Sequence, residues 1–170
     1  IDTYDGTYIS QTCEDLFTIK KNSLVGIYAK STQKWMPASM EDIRSCQVRL
    51  PLSKQLYWFR VNGLYGIMDE DCKDVLPPVY KGIQDGDYYF LLADNAGEHL
   101  YDPLKRRIIA GGFSEIRVRH NRAICQKGDI FTLYKDDVPQ FTQKADHMTW
   151  FSENLLLFTD PITRKSGLLR

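Results

Sequence analysis

Five stretches of the chain repeat one arrangement. Aligned on Ile27, Ile67, Leu100, Leu133 and Leu168, they stand 40, 33, 33 and 35 residues apart in a chain of 170. A period of that length confines the fold to architectures that stack one small supersecondary unit many times. Eight and ten residues before the first four anchors come Ile19 and Phe17, Phe59 and Tyr57, Leu92 and Phe90, and Cys125 and Ala123. Apolar residues at alternate places mark a strand with one face to a core. Five before the anchor stand Asn22, Asn62, Asn95 and Gly128. These residue types tolerate the positive φ of a tight hairpin turn. Each copy therefore predicts strand, turn, strand.

Beyond the anchor the copies keep step. An apolar residue follows nine on at Met36, Leu76 and Ile109, a bulky one thirteen on at Met40, Tyr80 and Phe113, and an Ile sixteen on at Ile43, Ile83 and Ile116. The fourth copy drifts, with Phe141 one place early. The pattern gives one repeat domain over 1–170, with copies at 16–46, 57–87, 88–121, 122–154 and a partial copy at 155–170. A loop insertion at 47–56 contains Pro51. Both ends cut through the repeat and the chain opens on Ile1, so it reads as a piece of a longer array.

A lone hairpin cannot cover its apolar face, and stacking copies solves that problem. The expected fold is mostly β: tandem repeats of about 33 residues built on antiparallel β-hairpins, in an elongated solenoid-like stack or a partial propeller-like ring. Periodicity alone does not separate those two. Pro77-Pro78, Pro103 and Pro139 break any long helix, leaving room for a turn of helix only at 40–43 or 113–116.

The copy at 62–83, "NGLYGIMDEDCKDVLPPVYKGI", resembles the WG (KWG) repeat through Gly66, Ile67, Asp69, Leu76, Pro77, Pro78 and Tyr80. Other copies match in part, at Gly26-Ile27 with Met36-Pro37, at Asp102 with Phe113, and at Gly167-Leu168. The Trp that names the family is Tyr65 here and Val25 in the copy before. The resemblance implies a tandem β-repeat protein of bacterial type, with no shared catalytic residue to carry over.

The 22 basic and 22 acidic residues cancel, which argues against a surface built throughout for nucleic acid or an anionic membrane. The charges are nonetheless segregated. From Asp69 to Asp102 nine acidic residues face two lysines, and from Lys105 to Arg122 six basic residues face Glu115 alone. No apolar run reaches the roughly 20 residues of a membrane helix, so membrane insertion is not expected. Cys13, Cys46, Cys72 and Cys125 form no Cys-x-x-Cys pair, and free thiols in a reducing compartment are favoured over one structural disulfide. His99, His120 and His147 lack metal-ligand spacing. "DEDCKD" at 69–74 fails the EF-hand pattern and sits where each copy needs a polar turn. No nucleophile or phosphate-loop motif is present, Cys125 falls on an inward-facing position, and no cofactor is expected.

Two features suit binding. Lys105, Arg106, Arg107, Arg117, Arg119 and Arg122 could line up as a basic stripe for phosphate or carboxylate groups, or could neutralise the acidic copy beside them. Trp35 and Trp150 fall near turns, where an aromatic side chain can anchor a partner or plug a hairpin. The expected function is a non-catalytic interaction module presenting an extended β-repeat surface to a protein partner. The alternative is recognition of an anionic polymer, nucleic acid or acidic glycan, by the basic stripe.

Overall fold

A computed structural model describes residues 8–11, 16–47, 52, 54–153 and 155–169. Half of the expected insertion at 47–56, Pro51 included, and Cys13 lie outside the described residues. The described residues form strands joined by turns, with no helix among them. Two compact units divide the chain between Asp85 and Gly86, inside the copy expected over 57–87.

In the first unit, β1 (Tyr8–Gln11), β2 (Leu16–Lys21), β3 (Leu24–Ala29) and β4 (Lys34–Met40) make one antiparallel sheet in chain order. A second sheet follows from β5 (Asp42–Ser45), β6 (Leu56–Val61), β7 (Leu64–Asp69) and β8 (Asp74–Tyr80), and β9 (Gly82–Gln84) comes last. In the second unit, β10 (Phe90–Asp94), β11 (Gly97–Asp102) and β12 (Arg107–Phe113) pair in chain order. So do β13 (Glu115–Arg119), β14 (Arg122–Lys127), β15 (Ile130–Lys135) and β16 (Val138–Lys144), and then β17 (His147–Trp150), β18 (Leu156–Thr159) and β19 (Ser166–Leu169).

The anchors explain why. Ile27, Ile67 and Leu133 each occupy the third strand of a sheet and Leu100 the corresponding strand β11, and all are buried. Each is held between a residue of the second strand and one of the fourth: Thr18 and Met36, Trp58 and Leu76, Leu91 and Ala110, Ile124 and Phe141. Phe141 thus meets its anchor one place early because only Asp136 and Asp137 join β15 to β16, where four residues join β3 to β4, and Ala110 takes the place expected of Ile109. Leu168 departs from the pattern. It is 53% exposed, because no described strand follows β19 to cover it.

Turn chemistry sets the registers. Asn22 and Ser23 (φ 50° and 66°) and Asn62 and Gly63 (φ 52° and 76°) close the β2–β3 and β6–β7 hairpins with both residues left-handed, which is the geometry that suits the strand twist. Asn95 does not do this. In that hairpin the Asp94 carboxylate accepts the Ala96 N–H at 2.7 Å, and the positive φ moves to Gly97.

Residues 40–43 and 113–116 form no helical turn; each is the corner where one sheet passes to the next. The corner residue donates its N–H to the second strand of the new sheet, Glu41 to Arg60 at 2.8 Å and Ser114 to Gln126 at 2.8 Å, and Asp146 does so to Thr159 at 2.9 Å. Pro77-Pro78 breaks no strand, though no helix forms there, as expected. It lies inside β8, as Pro37 lies in β4 and Pro139 in β16. All three strands are the last of their sheets, where a missing N–H costs no ladder bond on the open edge.

Cores form between neighbouring sheets. Leu16, Val25, Ile27 and Met40 of the first sheet pack with Ile43, Tyr57, Phe59 and Met68 of the second. In the second unit, Leu100 packs with Ile116, Ala123 and Cys125, while Ile124, Phe131 and Leu133 pack with Met148 and Leu156. Polar ties between sheets recur at similar separations: Lys34 Nζ donates to the Cys72 carbonyl (2.9 Å, 38 residues on) and Tyr89 Oη to the Asn121 carbonyl (3.0 Å, 32 residues on).

Candidate functional site

The turn joining the third and fourth strands carries the charged residues that drew attention in the sequence. Its frame is a buried carboxylate. Asp69 Oδ1 accepts the N–H groups of Asp71 and Lys73, each at 3.1 Å, and Asp102 Oδ1 accepts those of Leu104 (2.8 Å) and Lys105 (3.0 Å). An aspartate folded over its own backbone is a turn device. The 69–74 stretch is accordingly a polar turn, with Lys54 paired to Asp71 and Lys34 reaching the Cys72 carbonyl. No metal-holding cluster is found among the described residues.

The six basic residues all lie in the second unit, but the structure does not leave them as one stripe. Lys105 pairs with Asp137 and lies 3.7 Å from Asp102, and Arg107 lies 3.8 Å from Asp137. Burial pushes the Asp102 carboxyl above the ordinary range, and its hydrogen bond to Asp137 adds to that. Asp137 moves the other way: burial opposes its charge, but Lys105, Asp102 and Arg107 together hold it below the usual range. Lys105 is raised by the same bond to Asp137. Arg117 lies 3.3 Å from Glu115. Lys105, Arg107 and Arg117 are thus engaged with carboxylates of their own unit, of which Asp102 belongs to the acidic stretch 69–102 and Asp137 and Glu115 do not, and Arg106, in the turn at φ 52°, stands beside this group.

Arg119 and Arg122 are placed differently. They flank the two-residue β13–β14 turn of His120 (φ 53°) and Asn121 and, with Trp150 and Glu153, line a recess of about 230 Å³. Arg122 Nη1 donates to the Glu153 carbonyl at 2.8 Å. Asn121 is fixed from three sides: its amide donates to Asp136 at 2.6 Å, and its carbonyl accepts from Tyr89 Oη and the Asp136 N–H. The Trp150 indole N–H is buried and has no hydrogen-bond partner among the described residues. Sequence reasoning had singled out Arg119, Arg122 and Trp150 but missed His120, Asn121 and Glu153. The signal available was spacing, since the two turns lie one repeat apart.

Trp35 and Trp150 sit beside turns, as expected, but within strands: Trp35 is the second residue of β4, opposite Tyr28, and Trp150 the last of β17, opposite Leu156. Trp35 is 39% exposed and lines a recess of about 300 Å³ in the first unit with Ile19, Leu24 and Pro37. A feature the sequence did not suggest runs across β5, β6 and β7. Arg44 lies over Trp58 (5.2 Å) and Arg60 over Tyr65 (5.8 Å), while Trp58 meets Tyr65 edge-on at 5.5 Å. Such cation–aromatic contacts on a half-exposed face are worth about 0.5–1 kcal/mol each. They give Tyr65 a structural role.

The described cysteines are placed as packing residues. Cys125 is fully buried, and burial pushes its thiol up to about 12, so thiolate is scarce near neutrality. Cys46 and Cys72 are buried free thiols raised for the same reason. His99 is held by Asp94, Nε2 to Oδ1 at 2.9 Å.

No protein-family model and no curated protein matches the chain. Among solved structures, Kluyveromyces lactis Hsv2 with its complete loop 6CD is similar over 92% of this chain and 56% of its own, at 9% identity and a TM-score of 0.40. The CNH domain of AfRom2 is similar over 95% of this chain and 69% of its own, at 9% identity and 0.39. PorZ, an essential surface component of the type-IX secretion system of Porphyromonas gingivalis, is similar over 94% of this chain and 27% of its own, at 12% identity and 0.39. The chain spans little more than half of the Hsv2 chain, and likenesses this distant carry no argument here.

Proposed function

We propose that this chain is a tandem β-hairpin repeat array of the WG type, stacked in solenoid-like fashion, and that it works as a non-catalytic interaction module for a protein partner. One observation carries the reading. In four sheets the strand that follows the anchor strand bears a large exposed apolar side chain: Trp35 (39% exposed) on β4, Val79 (53%) on β8, Ile108 (44%) on β12 and Val138 (55%) on β16. Single exposed apolar residues are ordinary on a protein surface. Their return on the equivalent strand of sheet after sheet suits a partner that reads several repeats at once.

The polyanion alternative loses weight from the same geometry. A stripe that binds phosphates needs its guanidinium groups available for release of counterions. Three of the six candidates instead sit against Asp137 and Glu115. The test is a partner captured by chemical crosslinking from its native source, then remeasured with purified components. Binding that survives 0.5 M salt and drops at least tenfold in Trp35→Ala or Ile108→Ser supports the protein-partner reading. Binding that collapses with salt and in the double variant Arg106→Ala/Arg117→Ala supports the polyanion.

A further inference from the structure

We infer that the recess between the β13–β14 turn and the end of β17 is a receptor for one acidic side chain, Asp or Glu, of a partner peptide. The inference rests on the protein-partner reading and names the chemistry of one of its contacts. Size is the first argument. Small-molecule sites run to roughly 300–1,000 Å³, whereas this recess measures about 230 Å³ and suits a single side chain. Its lining supplies donors: the Arg119 and Arg122 guanidinium groups, His120 and the Asn121 amide, with Trp150 as an apolar wall.

Occupancy of those donors is the second argument. Arg119 makes no ion pair with any described residue, in contrast to Lys105, Arg107 and Arg117. Trp150 lines the recess beside these donors, and its ring lowers the local exposure to water that would otherwise weaken a charged hydrogen bond. A carboxylate has two oxygens and room for about four hydrogen bonds. It can take a forked bond from a guanidinium and still accept another donor. Rigidity is the third argument. The turn carrying His120 and Asn121 is fixed by Asp136 and by Tyr89, and Arg122 is held to the Glu153 carbonyl, so the donors are placed before the ligand arrives. Glu153 is the one carboxylate in the lining, and it works against an incoming anion.

The experiment is a titration of the isotopically labelled chain, followed through the Trp150 indole N–H resonance. The probes are the blocked peptide Gly-Glu-Glu-Gly, its Gly-Gln-Gln-Gly counterpart, inorganic phosphate, and a single-stranded oligonucleotide. The expected result is a saturable shift with the Glu peptide, at a dissociation constant on the order of 1 mM. The Gln peptide should bind at least tenfold more weakly. Arg119→Gln should abolish the shift while its amide spectrum stays dispersed, and Glu153→Gln should tighten binding about threefold. Equal response to the Gln peptide, no response to the Glu peptide, persistence of the shift in Arg119→Gln, or tighter binding of phosphate or the oligonucleotide would each overturn the inference. If the Glu peptide fails while the captured partner still depends on Trp35 and Ile108, only the recess is refuted. If partner binding also proves salt-labile and Arg106-dependent, the protein-partner reading falls as well.

Discussion

The β7–β8 and β11–β12 hairpins face one steric problem and solve it on opposite strands. In each, the fourth strand bulges toward the third just before the buried anchor. In β7 the glycine is on the third strand. A Cβ on Gly66 would stand 2.8 Å from the Leu76 carbonyl oxygen and 2.7 Å from the Phe59 ring. In β11 the equivalent residue is His99, and the glycine has crossed to β12, where a Cβ on Gly111 would stand 2.1 Å from His99 Nδ1. What the two hairpins share is therefore a space between two strands. Which strand vacates it is free to vary, and the variation leaves a histidine in one sheet with no counterpart in the other.

The largest expected effect comes from filling that space where backbone defines it. Gly66→Val should destabilise the first unit by about 3 kcal/mol, the upper end for overpacking a tight site, seen as a lowered midpoint in calorimetry. A loss below 1 kcal/mol would mean that the bulge yields and the space is not conserved.

The turns come next. Asp69→Ala removes the acceptor for two N–H groups and should cost about 2 kcal/mol. Asp102 caps its turn in the same way but carries a raised pKa. A carboxyl raised in the folded state loses stability as pH climbs from its unfolded toward its folded pKa. Asp102→Asn keeps the Oδ1 acceptor without the charge, so it should leave stability at pH 7 unchanged or raise it. A loss like that of Asp69→Ala would show that the two caps differ less than their surroundings imply.

Gly111→Ala should cost about 1 kcal/mol less than Gly66→Val, because a side chain can move where a carbonyl cannot. It should also couple to His99: in a double-mutant cycle with His99→Ala the penalty should shrink by about 1 kcal/mol. Additive effects would separate the glycine from the histidine. The smallest effect is on pH. The hydrogen bond from His99 holds the Asp94 carboxyl below its ordinary value. A depressed carboxyl contributes stability above its unfolded pKa and loses it as pH falls through the folded one. The unfolding midpoint of the second unit should therefore fall below about pH 4, and Asp94→Asn should remove that part of the acid dependence.

Much of the fold was legible in the sequence, because an anchor every 33 to 40 residues and Asn-Gly at 62–63 are local signals with one physical meaning. The corners at Glu41 and Ser114 were not, since a single-residue step between sheets looks like the start of a helical turn. Proline at 77–78 excluded helix but did not reveal that it lies inside β8, because sequence does not say which strand has an open edge. At the candidate site, Arg119, Arg122 and Trp150 were legible as residue types. Their separation from Lys105 and Arg107 was not, because it depends on Asp137, a carboxylate from the following copy, reaching back across about one repeat.

Amide hydrogen exchange on the intact chain tests the shared environment of the anchors most directly. The N–H groups of Ile27, Ile67, Leu100 and Leu133, each central in its sheet, should exchange at least a hundredfold more slowly than those of Gly63 and Gly128 in the turns, and within about tenfold of one another inside each unit. Exchange at any one of these four as fast as at Gly63 would contradict a chain built by repeating one buried hairpin.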